Sequence, residues 1–230
     1  MAFGSSSHPP SVAVLFDLDG VLIDSEPLYT QATQAVVGRF GKVFDWSVKS
    51  EIIGRSSLEG AVYTIEALAL PLSPEEYLAE RGVHLDRLFD NVPLMPGAAE
   101  LVQRLDDLGV PIAVATSSAR RLFLQKTAPH AFFSRFDAVV CGDDPRVRAL
   151  KPAPDIFLVA AGELGVAPEQ CLVIEDSLAG VAAARAAGAR VVAVPDPHVD
   201  AKRYTQADRV LANLGQLDLA EFGLSAARAT

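Results

Sequence analysis

An α/β fold, with a parallel sheet covered on both faces and a helical insertion, is what the pattern of this chain predicts. Three observations carry that expectation. Short, near-continuous Val/Ile/Ala runs recur, as in strands buried on both sides. Beyond Pro96-Gly97 these runs alternate with segments of helical periodicity, the pattern of crossover connections. Before that point, the first run is followed by several helical stretches with no strand between them.

The first strand is the run Val12-Ala13-Val14-Leu15-Phe16. Residues 28–40, 58–68 and 74–89 then read as helices, because Val36, Val37 and Phe40, and later Ala61, Ile65 and Leu68, recur at helical spacing. Ser73-Pro74-Glu75-Glu76 reads as a helix start: a cap, a proline that cannot donate, then acids on the positive end. Pro93 and Pro96-Gly97 punctuate the return. Residues 98–108 form a helix closed by Gly109, and further strands follow at 111–115, 136–141, 172–174 and 191–194. Helices at 155–164 and 177–187 lie between the later strands, with Gly165 and Gly188 just beyond their ends. The expected organisation is a disordered tail at 1–11, a catalytic core made of 12–24 and 93–230, and a helical cap domain at 25–92.

With 230 residues and half of them hydrophobic, the chain can bury one ordinary core and a small second one. A net charge of −9 argues against nucleic-acid or anionic-membrane partners. No apolar run reaches the roughly 18 residues that a bilayer span needs. Cys141 and Cys171 lie at strand ends without metal-ligand spacing and read as small buried hydrophobes of a reducing compartment. The Ser- and Pro-rich start lacks the charged and apolar regions of a signal peptide. A soluble, cytoplasmic monomer is expected.

The chemistry concentrates at strand ends. After Phe16 come Asp17, Asp19, Gly20 and Asp24. Period two sends Asp17 and Asp19 to roughly the same side, at the sheet edge where ligands bind in α/β proteins. Two close acids repel unless a cation or a shared proton intervenes, and oxygen donors suit a hard ion such as Mg²⁺. Both could instead simply cap a turn. Thr116-Ser117-Ser118 offers a hydroxyl and consecutive N–H groups to phosphate oxygens, or a helix cap. Lys151 precedes Pro152-Ala153-Pro154-Asp155, with Asp155 read as the cap of the next helix. Glu175-Asp176 is a second acidic pair at the same edge, and Asp176 also suits a cap on the Ser177 helix. Together, carboxylates, hydroxyl and lysine make the kit for metal-assisted phosphoryl transfer.

These residues resemble the motifs of the haloacid dehalogenase superfamily: Asp17-Leu18-Asp19-Gly20-Val21, Thr116, Lys151 and Glu175-Asp176. The likeness runs from about Val12 to about Gly223. It implies a Rossmann-like doubly wound sheet with an inserted α-helical cap, and an Asp17 nucleophile that forms an aspartyl-phosphate. It implies that Asp19 protonates the leaving group and then activates water. Mg²⁺ would be held by Asp17, the Asp19 carbonyl and Asp176 with Glu175 near, and phosphate by Thr116, the Ser117 amide, Lys151 and the Gly20 turn. The superfamily's dehalogenases lack the second aspartate, so Asp19 points to a phosphatase or mutase.

Longer stretches, among them Phe44-Asp45-Trp46-Ser47-Val48-Lys49 and Gly142-Asp143-Asp144-Pro145, resemble the pseudouridine-5′-phosphatase and plant-type glycerol-3-phosphatase group. Leu150 departs from that group, which has glycine before the lysine. The expected substrate is a small sugar, nucleotide or glycerol phosphate ester; the alternative is a β-phosphoglucomutase-like phosphomutase, whose cap arginine would fall near Ser57. A phospho-accepting receiver fits poorly, being half this length and without an insertion. Arg55, in Gly54-Arg55-Ser56-Ser57, is the candidate substrate reader or else a solvent-facing arginine. Arg120 and Asp143 are candidates at the pocket edge, Gly142–Pro145 reads as a turn, and His84 and His130 read as surface or packing residues.

Overall fold

A computed structural model describes residues 9–52 and 57–224. The chain divides into two compact units, Ser25–Pro93 and the remainder on either side of it. The larger unit holds a sheet of six strands: β1 Ala13–Phe16, β2 Ile112–Thr116, β3 Ala138–Cys141, β4 Cys171–Glu175, β5 Arg190–Ala193 and β6 Arg209–Val210. All pairings are parallel, in the order β3-β2-β1-β4-β5-β6. This is the doubly wound arrangement that the alternating runs predict. The exception is β6, which the sequence reading did not include. It is only two residues long and both are exposed, so no apolar run marks it.

One face of the sheet carries Ala13, Leu15, Ala113, Ala115, Val173 and Val191, all fully buried. They pack on Ile156, Phe157 and Ala160 of one crossover helix and on Val181, Ala183 and Ala184 of another. The alternate residues Val14, Phe16, Val114 and Ile174 are buried as well, and Phe16 meets Phe136 edge-on at 5.7 Å. Burial on both faces is the physical reason that these strands lack a polar alternation.

The helices in chain order are α1 Glu26–Gly38, α2 Trp46–Ile52, α3 Ser57–Leu68, α4 Pro74–Leu88, α5 Ala98–Asp107, α6 Arg120–Thr127, α7 Asp155–Glu163 and α8 Leu178–Ala186. Helices α1 to α4 make up the Ser25–Pro93 unit, closed around Val36, Val37, Phe44, Val48, Ala61, Leu70 and Tyr77. The start of α4 is a full capping box: Ser73 Oγ accepts from the Glu76 amide, and Glu76 Oε2 accepts from the Ser73 amide at 2.8 Å. Neither α2 nor α6 was expected, because each is short and breaks the apolar helical period with charged residues.

Two expected caps fall elsewhere. Asp155 is not the cap of α7, since Pro154 holds that position and the Asp155 carboxylate instead accepts from the Arg148 and Ala149 amides at 2.9 and 3.1 Å. Asp176 does not cap α8 either: Ser177 does, its hydroxyl accepting from the Gly180 amide at 3.0 Å. Cys141 and Cys171 are buried and unbridged, and burial pushes both thiols up to about 11. No described helix is long and apolar enough to cross a membrane.

Candidate active site

Because β1 lies between β2 and β4, the residues that follow all three strands emerge at one edge. The Asp17 amide donates to the Ile174 carbonyl at 3.0 Å, which ties the first acidic turn to β4. The turn then reverses at Gly20, whose φ of +81° suits glycine. A Cβ there would also strike the Asp176 carboxylate, so the backbone of the turn runs directly against that side chain.

Lys151 is the centre of the site. Its side chain is 6% exposed, and its Nζ donates to Glu175 Oε1 at 2.6 Å, to the Ala115 carbonyl at 3.0 Å and to Asp17 Oδ1. Leu150 beside it is half exposed, so the larger residue points outward and the lysine still reaches the strand ends. The Asp155 carboxylate holds the backbone just before this loop.

Glu175, fully buried, uses both oxygens on protein donors. Oε1 meets Lys151, and Oε2 accepts from the Asp176 and Ser177 amides and the Ser177 hydroxyl at 2.9 to 3.0 Å. It is seated at the start of α8, where partial positive charge favours it. Gly180 makes the room, for any Cβ at that position would overlap the Glu175 carboxylate. The geometry sets Glu175 as the anchor of Lys151, directly beside Asp176.

Charge is not balanced here. Among the described residues Asp17, Glu175 and Asp176 meet one cation, Lys151, so full ionisation of all three would leave two negative charges in excess. The consequences follow. Burial, reinforced by Glu175 and Asp19, lifts Asp17 to about 7 against the pull of Lys151. Burial, then Glu175 and Asp17, holds Asp176 well above the usual carboxylate range. For Lys151 burial works downward, yet Asp17 and Glu175 outweigh it and its pKa rises. The Tyr204 hydroxyl donates to the Asp176 carbonyl at 2.5 Å and steadies that residue.

An excess of two negative charges, presented on carboxylate oxygens, fits a hard divalent cation. Among the described residues no three His, Cys, Asp or Glu side chains form a ready-made cage. Mg²⁺ does not require one, since it usually takes one or two carboxylates and keeps water and substrate phosphate in its shell.

The third strand end supplies hydroxyls. Thr116, 1% exposed, accepts from the Ser118 amide at 3.0 Å and shapes the loop, while Ser117 is exposed at its tip. Ser118 Oγ donates to Asp19 Oδ2 at 3.0 Å, and Lys126 Nζ donates to Asp19 Oδ1 at 2.7 Å and to Ser118 Oγ at 3.2 Å. The Asp17 and Asp19 side chains are therefore met by two different lysines, the strand having ended at Phe16. Gly142 lies against the Ser117 carbonyl, where a Cβ would collide. Asp143 accepts from the Arg120 amide at 2.9 Å, and the Arg120 side chain turns to the Val139 carbonyl, so both residues brace the loop. Gly142–Pro145 is a turn, stitched by Asp144 to Arg146.

The structure thus gathers Asp17, Lys151 and Glu175 in one network, Asp176 and Gly20 beside it, and Asp19 with Ser118 in a second. Arg55 lies outside the described residues. His130 packs near the rings of Phe132 and Phe133. Lys126 was missed, although its place three residues after Phe123 and one before Thr127 puts it on the buried side of α6.

The family model described as "haloacid dehalogenase-like hydrolase" matches residues 12–188. A Drosophila melanogaster protein named "Probable pseudouridine-5′-phosphatase" is 43% identical over 216 residues, covering 92% of this chain and 94% of that one. Arabidopsis thaliana (DL)-glycerol-3-phosphatase 2 is 40% identical over 227 residues, covering 96% and 92%. A crystal structure of a HAD family hydrolase from Deinococcus radiodurans, with bound phosphate and sodium, superposes with a TM-score of 0.80 at 32% identity, covering 94% and 97%. With the strand-end acids, hydroxyl and lysine in place, the chain belongs to the haloacid dehalogenase-like hydrolase family and is an enzyme whose named relatives are phosphatases.

Proposed function

We propose that this enzyme is a Mg²⁺-dependent phosphatase of small phosphate monoesters that works through an aspartyl-phosphate on Asp17. Asp17 attacks phosphorus, its oxygen forming the new P–O bond as the bond to the leaving alcohol breaks. Asp19 gives its proton to the leaving oxygen, then takes one from the water that attacks the aspartyl-phosphate and releases inorganic phosphate. Thr116, the Ser117 amide and the Gly20 turn border the phosphate, and Lys151 offsets charge on it and on Asp17. Asp17, Asp176 and the Asp19 carbonyl would hold Mg²⁺, which supplies charge neutralisation of the phosphate.

The observation that carries this reading is the buried carboxylate cluster with one lysine. Three buried acids exceed what one lysine can neutralise, and a divalent cation would offset the excess. The relatives' names favour pseudouridine 5′-phosphate or glycerol 3-phosphate as substrate. We take the Ser25–Pro93 unit, with Arg55, as the part that sets substrate choice. Two buried thiols support work in the reducing cytoplasm.

The test is phosphate release with Mg²⁺ across pseudouridine 5′-phosphate, other nucleoside monophosphates, glycerol 3-phosphate and sugar phosphates. Release that disappears with EDTA and in Asp17→Asn supports the reading, and Asp19→Ala should lower turnover by about 10²–10⁴-fold. Isomerisation of β-glucose 1-phosphate without net release would replace it with a mutase.

A further inference from the structure

Lys126 has no part in the scheme above, yet it is 0% exposed. Lysine is almost never fully buried without a partner, and here the partners are Asp19 Oδ1 at 2.7 Å and Ser118 Oγ at 3.2 Å. Ser118 closes the triangle by reaching Asp19 Oδ2 at 3.0 Å. We propose that Lys126 is a positioning residue for the acid–base step, fixing both the orientation of the Asp19 carboxyl and which of its oxygens carries the transferred proton. The inference rests on the phosphatase reading.

An ammonium has three donors and no acceptor, so the oxygen facing it cannot hold a hydrogen toward it. Lys126 therefore keeps Asp19 Oδ1 as an acceptor. A serine hydroxyl can accept as well as donate, so Oδ2 can carry the proton against Ser118. In the first step the ester P–O bond breaks, the Asp17–phosphorus bond forms, and the Oδ2 proton passes to the leaving alkoxide. The same carboxylate then receives the proton of the attacking water. The covalent chemistry at phosphorus involves Asp17 alone, so Lys126 bears only on the proton.

That separation sets the test. A glycerol ester leaves as an alkoxide that needs a proton; a 4-nitrophenyl ester leaves as a stable phenolate that does not. In Lys126→Met, kcat/KM for glycerol 3-phosphate should fall about 10²-fold, the usual loss when a reacting group is misplaced by about an ångström. For 4-nitrophenyl phosphate it should stay within about threefold, because kcat/KM reports only steps up to release of the alcohol. Ser118→Ala, which deletes a smaller group, should show the same selective loss at about tenfold and decides the matter if Lys126→Met does not fold. Equal losses on both esters, or no loss on either, overturn the inference. Where another alkyl ester of the panel is the better substrate, it replaces glycerol 3-phosphate in the comparison, and a wild-type enzyme that cleaves no ester of the panel in Mg²⁺ overturns the phosphatase reading instead.

Discussion

Replacing Asp17 by asparagine should abolish turnover and yet stabilise the metal-free protein. Burial lifts the Asp17 carboxyl from its ordinary 3.8 to about 7, so the fold disfavours the ionised form that the proposed mechanism needs. The sign follows from linkage. Below about pH 4 both folded and unfolded chains hold the proton and there is no penalty; the penalty grows as pH rises and is complete above about 7. A shift of about three units corresponds to about 4 kcal/mol at pH 8, of which about 2 kcal/mol appears between pH 5.5 and pH 8. Asparagine keeps an oxygen toward Lys151 but carries no charge, so part of the attraction is lost and a gain of about 2–3 kcal/mol at pH 8 is expected. In a chain of this size that is about 4–12 °C in melting temperature. The assay is thermal or urea unfolding of both proteins in EDTA at the two pH values. Equal stability at pH 8, or an advantage for asparagine that shrinks as pH rises, would refute the reasoning.

Three further outcomes follow from the same geometry. A Mg²⁺ ion held as proposed would compete with protons for Asp17 and Asp176, so it should raise the melting temperature more at pH 8 than at pH 5.5, and little in Asp17→Asn; equal shifts in a fluorescence melt would contradict the charge balance. Gly180→Ala should cost about 1–3 kcal/mol and lower phosphate release by about tenfold or more, since the new methyl displaces Glu175 from Lys151; urea unfolding and a release assay read both effects. Asp155→Ala removes two hydrogen bonds to the loop before Lys151 and should cost about 1–2 kcal/mol. Its signature is faster hydrogen exchange at the Arg148 and Ala149 amides, and unchanged exchange there would count against the tether.

Much of the site was legible because buried parallel strands are written as continuous apolar runs. Each run announces its own end, and Asp17, Thr116 and Glu175 stand at those ends. What stayed hidden obeys other rules. Hydrophobicity alone would turn Leu124 inward on α6 and Lys126 outward, yet Leu124 is 58% exposed and Lys126 is fully buried. The ion pair with Asp19 overrides the pattern, and its partner lies more than a hundred residues away in sequence. Glu175 could be placed at the edge, but not given its task, because that depends on Gly180 making room one turn into α8. Asp155 reads as a cap by position, whereas its carboxylate bends back to the preceding loop.

The points where the chain leaves and rejoins the sheet unit are pinned together: Ile23 pairs with Leu94, and the Met95 amide donates to the Leu22 carbonyl at 3.0 Å. With both ends fastened at one spot, the intervening Ser25–Pro93 segment behaves as a cassette. Its length adds little to the entropy of closing the loop, so an insertion or deletion there is expected to leave the strand register intact. The segment can therefore change in length or content at little cost to the sheet unit that holds its two ends.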